Sequence, residues 1–325
     1  MSQKFGFGIA ESLMAEKACV SLKSLHFDLE AMIKTAEAVK PLAAELGVPA
    51  PDPHIAGFGY PHVAALGAPI EFPEDGEPNV SPIIKTPADI DNLKEPDDYL
   101  AAPLIQTRLG LVAELGRRNK NWASQRIGHE MEGPVTTAVL LMGDDFLMLP
   151  YDDPKRAHRL LSYCTESALH YIQALHRHFN GDEPMAPGPG GIPDDFAGML
   201  PPDMFDEFVI QYWDRFYTGM QSTSRGLHSE LLREAHLPFL KSAKIDRFDP
   251  GADQYLTPEL LSRKCPCPFQ TLIKSWEIND MNADQLENYY RDIAKCKPVH
   301  IRFVLDRMGN LDKIKRLLKV ARELA

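Results

Sequence analysis

The tripeptide His228-Ser229-Glu230 is the sharpest chemical signal in the sequence. Its surroundings read as a short strand near 226–230, and side chains two apart on a strand point to the same face. An imidazole and a carboxylate so placed can reach one cation, and both are accepted zinc ligands. Asp194 and Asp195 are the second signal. Adjacent carboxylates repel, so burial would raise one pKa and create a general acid; the alternative is a helix cap or a solvated pair. Cys265-Pro266-Cys267 repeats the i, i+2 spacing just before a strand at 266–275. That end of a parallel strand is the stability face of a barrel, so a reduced, structural pair is expected there. His129, with Glu130 and Glu132, stands near the end of a strand expected at 126–130, ahead of the Gly133-Pro134 break. Turned inward, His129 would line a pocket; turned outward, it belongs to the surface. The sequence holds no Walker loop, no Rossmann glycine fingerprint and no His-Glu-x-x-His helix.

These residues need elements to hold them. The longest is a helix opened by Pro154, in which Ala157, Leu160, Leu161, Cys164, Ala168, Tyr171, Ile172 and Leu175 form one apolar stripe. The histidines at 158, 170, 176 and 178 fall mainly off that stripe and read as surface residues. Further helices are expected at 106–118 and 203–220, and a glycine- and proline-rich loop at 181–203. From 226 onward the pattern alternates: strands at 226–230, 245–248, 266–275 and 299–305, with helices to about 242, at 258–262, 283–294 and 311–325. Such alternation implies βαβ units and a parallel sheet. Periodicity alone does not separate a barrel from a doubly wound sheet. The first fifty residues read as helical, ending at Gly47.

With 325 residues, 44% of them hydrophobic, the chain can bury a large core. A net charge of −11 without basic clusters argues against nucleic acid or an anionic membrane surface as partner. Five scattered cysteines make no disulfide framework, so reduced thiols are expected. No apolar run approaches 18 residues and the start carries no secretory pattern, which makes the cytoplasm the expected location.

Three stretches carry a family resemblance. GPVTTAVLLMGDDFLMLPYDDPKRAHRLL resembles the Gly-Pro-Phe-Thr segment and Tyr-Asp-Asp-Pro helix of the uroporphyrinogen decarboxylase superfamily, which includes zinc- and corrinoid-dependent methyltransferases. DDFAGMLPPDMFDEFVIQYWDRFY resembles its acidic loop and following helix, and GLHSELLREAHLPFLKSAKIDRFDPG its His-Ser-Cys-Gly strand, helix, and strand ending in Asp-Pro-Gly. With Ala65-Leu66-Gly67-Ala68 and PIIKTPADIDNLKEPD, the matches keep family order from about Ala64 onward.

The resemblance implies a single (β/α)8 TIM-type barrel over 1–325 with an N-terminal helical extension over about 1–50, and chemistry at the C-terminal ends of the strands. In the methyltransferase relatives a His-x-Cys pair binds zinc. Here His228 and Glu230 hold that position, and Asp306 stands near where the relatives supply their last cysteine, which implies a His228, Glu230, Asp306 metal site. Asp194 and Asp195 match the acidic loop that handles substrate or protons. The arginine-rich start and the Phe-Ser-Asp loop of true decarboxylases are absent, with His54, Tyr60 and His62 in that region, so a porphyrinogen is not the expected substrate. The implied function is methyl transfer between a small methylated molecule, first a methoxy compound, and the cobalt of a corrinoid (cobalamin-type) cofactor on a partner protein, with zinc as Lewis acid. The alternatives are a metal-independent decarboxylase or lyase using Asp194 or Asp195, and a non-catalytic corrinoid-binding accessory protein. The N-terminal extension is read as either a cap on the barrel or the surface of a homodimer.

Overall fold

Strands come first, because they carry the candidate chemistry. The computed structural model describes residues 4–122 and 130–325. Its last strand, β6 (His300–Leu305), shows how the sheet is built. Ile301, Phe303 and Leu305 are fully buried, while the alternate residues His300, Arg302 and Val304 face the other way and are half-buried. The apolar face packs on the helices α8 (Ala283–Lys295) and α9 (Leu311–Leu324), through Leu286, Tyr290, Ile293, Ile314 and Leu317. Each such aliphatic or aromatic side chain contributes about 1.5–3 kcal/mol by leaving water.

β6 pairs in parallel with β1 (Lys4–Ile9) on one side and β5 (Gln270–Ile273) on the other. A second parallel set runs β2 (Gly188–Pro193), β3 (Ser222–His228) and β4 (Arg247–Asp249). A parallel bridge from Phe248 to Phe269, with the Phe248 N–H donating to the Pro268 carbonyl at 2.9 Å, joins the two sets. The described residues thus form an α/β sheet of six parallel strands in the order β2-β3-β4-β5-β6-β1. A two-residue antiparallel pair, Ile70–Glu71 with Asn79–Val80, lies outside it.

The helices expected from periodicity are present: α2 (Pro103–Arg118), α4 (Pro154–Asn180), α5 (Gln211–Gly219), α6 (Leu237–Ser242) and α7 (Pro258–Lys264), besides α8 and α9. The Asp153 carboxylate caps α4 by accepting the Arg156 N–H at 3.1 Å, and the predicted stripe from Ala157 to Leu175 is buried. α3 (Pro134–Met142) is buried on nearly every side, and the Gly133 N–H donates to the Pro193 carbonyl at 2.5 Å, tying its start to the end of β2. No helix among the described residues is long and apolar enough to cross a membrane.

Two expectations change. The first fifty residues are not wholly helical: the KFGFGI segment is β1, and the helix α1 (Leu29–Leu46) comes later. Phe5, Phe7 and Ile9 alternate with glycines, and Phe7 packs on Phe303 with ring centroids 5.5 Å apart. The region 181–203 is not all loop, since Gly188–Pro193 is a strand. Its only buried side chain is Ile192, so backbone pairing holds it and no side-chain period announces it.

Candidate active site

His228 ends β3 and Asp249 ends β4, and the strand register sets them side by side. The His228 Nδ1 lies 3.1 Å from Asp249 Oδ2. Asp249 is itself fixed: Arg302 Nη2 donates to its two oxygens at 3.0 and 2.7 Å, and the Gly251 N–H donates at 3.0 Å. The other ring nitrogen, Nε2, faces Asp195 Oδ1 at 3.7 Å and Glu230 Oε1 at 3.8 Å. Those oxygens accept the backbone N–H groups of Glu230 (2.9 Å) and Ala252 (2.8 Å) respectively. Gly251, at φ +55°, makes the turn that presents the Ala252 N–H. A Cβ there would run into the Glu230 carboxylate and stand 2.7 Å from His228 Cε1. A cavity of about 350 Å³ opens beside this group, lined by Gly191, Gly226, His228, Arg247, Asp249 and Gln270.

Burial works against a charged imidazole, but the hydrogen bond to Asp249 and the charges of Asp195, Asp249 and Glu230 outweigh it, so the His228 pKa is raised. Asp249 moves the other way. Burial opposes its charge, yet its bond to His228 and the Arg302 guanidinium hold it below the usual carboxylate value. Asp195 is raised by burial, only partly offset by His228. The arrangement is a histidine with one nitrogen anchored by a carboxylate and the other directed at an acidic, accessible edge: a proton donor held in one orientation.

Asp194 sits beside this group but does a different job. Its side chain is fully buried and accepts from Trp213 Nε1 at 2.7 Å, the Thr136 N–H at 2.7 Å and the Val135 N–H at 3.4 Å. Its backbone N–H donates to the His228 carbonyl at 2.9 Å, and its own carbonyl accepts the Ser229 hydroxyl at 3.0 Å. Burial lifts its pKa to about 6 in spite of those bonds. Asp194 therefore clamps the free N–H groups at the start of α3 onto β3, and its neighbour Asp195 faces the histidine.

Glu132, noted from sequence only beside His129 and Glu130 ahead of the Gly133-Pro134 break, is a further member. Burial, then the charges of Asp195 and Asp194, hold its carboxyl well above the ordinary range, and its Oε2 is buried without a partner among the described residues. Tyr60 is raised by burial and by Glu132 and Asp195. Glu130 has a structural pairing instead, a bidentate bond to the buried Arg108. The residues missed from sequence, Asp249, Arg302 and Arg247, come from strands far apart along the chain. The one local signal was the Asp-Pro-Gly turn after β4.

His129 lies outside the described residues. Asp306 follows β6, three strands along the sheet from His228, and meets Asn310 Nδ2 at 3.3 Å and Arg307 at 3.6 Å. Among the described residues no three His, Cys, Asp or Glu side chains are grouped to hold a metal ion, so the expected His228, Glu230, Asp306 set is not assembled. The pair that does meet, His228 and Glu230, uses the facing carboxylate oxygen on a backbone N–H, and this donor set does not fit a three-ligand zinc centre. Cys265 and Cys267 stand ahead of β5, with their sulfurs 3.8 Å apart.

Comparison with solved structures matches this architecture to a methyltransferase from Methanosarcina mazei, at a TM-score of 0.70 and 18% identity, covering 99% of this chain and 94% of that one. A protein provisionally described as a vitamin-B12 independent methionine synthase, from Listeria monocytogenes, aligns at a TM-score of 0.47 and 10% identity over 99% and 96% of the two chains. No functionally curated protein matches the sequence. The family model for uroporphyrinogen decarboxylase (URO-D) matches residues 61–254, a span that runs from the helix before the antiparallel pair through Asp194, Asp195, His228 and Asp249, and the chain belongs to that family.

Proposed function

We propose that this protein is a methyltransferase-type enzyme of the URO-D family, working in the cytoplasm on a small methylated molecule at the strand ends around His228. The observation that carries the reading is the His228 geometry: Nδ1 bonded to Asp249, Nε2 without a closer partner than Asp195 and Glu230 among the described residues, and the residue lining a cavity. The fold shared with the M. mazei methyltransferase supports it, and a closed (β/α)8 barrel, of which six parallel strands are described, is the architecture that goes with it. A corrinoid protein as methyl partner enters from the family resemblance. So did zinc, for which the donors at His228 do not fit, and no step here runs through a metal.

The chain's own residues supply proton chemistry. A methoxy oxygen placed at Nε2 gathers negative charge as its methyl group leaves, and the imidazolium Nε2–H donates to it. Asp249, immobilised by Arg302, keeps Nδ1 as the anchored nitrogen, while Asp195 and Glu230 stabilise the imidazolium before transfer. A second reading, decarboxylation of a small acid, draws support from Glu132, whose burial beside Asp195 and Asp194 favours the protonated carboxyl that a carbon protonation would use.

The test is turnover of a panel of methoxylated small molecules with reduced cobalamin, following cobalt methylation by absorbance, for the wild type and His228→Ala. Methylation lost in the variant, with its melting curve unchanged, supports the reading. Methylation that persists in His228→Ala, or carbon dioxide release in place of methylation, sinks it.

A further inference from the structure

One step deeper than His228 and Asp249, the register aligns Gly191, Gly226 and Arg247 across β2, β3 and β4. Parallel barrels fill such layers with bulky side chains. Here two of three adjoining positions have none, and Arg247 lines the cavity of about 350 Å³ with them. A Cβ added to Gly226 would lie 3.5 Å from Arg247 Nη2, so the cation lies along bare backbone.

Arg247 is exposed to this cavity and, among the described residues, has no side-chain hydrogen bond or ion pair. Two other arginines of the sheet are paired. Arg225 pairs with Asp214 at 2.7 Å, and Arg302 with Asp249. Asp249, two residues on along the same face, cannot neutralise Arg247, because its oxygens are taken by Arg302, His228 and the Gly251 N–H. The Gln270 amide lines the same space. A chain of net charge −11 therefore keeps one unpaired guanidinium inside its candidate active site. The planar fork of that group matches a carboxylate bidentately.

We propose that the substrate is a small carboxylic acid, bound as its anion, with the carboxylate held by Arg247 and Gln270 in this cavity. The proposal rests on the reading of His228 as the reacting layer. Two residues of strand separate the layers by about 6.6 Å, so the carboxylate and the reacting atom are joined by a short chain. One free cation beneath three carboxylates suits a single negative charge better than a phosphate dianion.

The experiment uses the whole protein and two probes of equal shape, butyrate and neutral butyramide. Phenylglyoxal modifies accessible arginines, and peptide mass spectrometry follows Arg247. Butyrate is expected to slow Arg247 modification saturably while butyramide does not. In calorimetric titration Arg247→Gln should weaken butyrate binding about tenfold or more, the scale of one charge-assisted bond, with Arg247→Lys between the two. His228→Ala should bind butyrate as the wild type does. Butyrate binding that depends on Arg247 in a wild type that transfers no methyl group would leave the anion site standing while the reaction assignment fails. Equal protection by butyramide, no protection by butyrate, or unchanged affinity in Arg247→Gln would overturn the proposal.

Discussion

Replacing Asp194 by alanine should destabilise the protein without acting on the chemistry directly. Three donors lose their acceptor: the Trp213 indole N–H, the Thr136 N–H and the more distant Val135 N–H. Each buried donor left unpaired costs about 1–3 kcal/mol. Against this stands relief from burying a carboxylate, since its pKa of about 6, raised from 3.8, means ionisation is disfavoured in the fold. The net expectation is a loss of roughly 3 kcal/mol, which for a chain of 325 residues lowers the melting temperature by about 4–5 °C. The sign of the pH effect is fixed too. A carboxyl with a raised folded pKa contributes stability that is full below its unfolded value and lost as pH rises through the folded one. Wild-type stability should therefore carry a decline between about pH 3.8 and 6 from this group, and Asp194→Ala should lack it. Urea denaturation followed by circular dichroism measures both, and a cycle with Trp213→Phe should give a coupling of about 0.5–3 kcal/mol. A variant within about 0.5 kcal/mol of wild type, but inactive, would refute the clamp and return Asp194 to the list of proton donors.

Other outcomes follow from the same site. Asp249→Asn removes a principal cause of the raised His228 pKa, so the pH above which activity falls should move lower; a pH–rate profile checks this, and an unmoved limb would exclude His228 as the acid. Gly251→Ala forces a Cβ onto Glu230 and His228 at a left-handed backbone angle, and should cost about 1–3 kcal/mol in chemical denaturation together with most of the activity. Glu132→Gln mimics a neutral carboxyl, so stability near neutral pH should stay within about 1 kcal/mol of wild type. The decline of the wild type as pH rises through the elevated Glu132 pKa should be absent from the variant, as parallel melting curves would reveal.

Much of this architecture was legible where side chains alternate with the period of their element. The last strand and the helices around it stand close to their expected places because the strand hides one face in the helix layer, as Ile301, Phe303 and Leu305 do, while β3, with only Leu227 buried, starts four residues before its expected place. β1 and β2 escaped notice. In β2 the glycines carry no side-chain period and only pairing makes a strand, whereas in β1 the alternation of Phe5, Phe7 and Ile9 with glycines was a signal too short to stand out from the helical reading of the first fifty residues. At the site, His228 and Glu230 were found by their i, i+2 spacing, although the strand expected at 226–230 runs Ser222–His228 and Glu230 lies in the bend beyond it. Asp249, Arg302 and Arg247 gather from two strands more than fifty residues apart, a proximity that only the sheet order creates. Asp306 shows the converse: it ends a strand as expected, yet sheet order puts it beside Asn310 and away from the histidine.

The pairing of β1 with β6 also sets a timetable for synthesis. Ile9 is matched to Leu305 across about 300 residues of chain, and Arg322 reaches back to the Leu46 and Gly47 carbonyls at 3.0 and 2.8 Å. At a ribosomal rate of about 5–20 residues per second, β1 waits about 15–60 s for its partner. During that interval its Phe5 and Phe7 have no native neighbour in Phe303 and its edge is unpaired, a state that invites association with other chains. Nascent chains stalled before residue 300 should accordingly depend on a chaperone that shields the first strand, while released full-length chains should not.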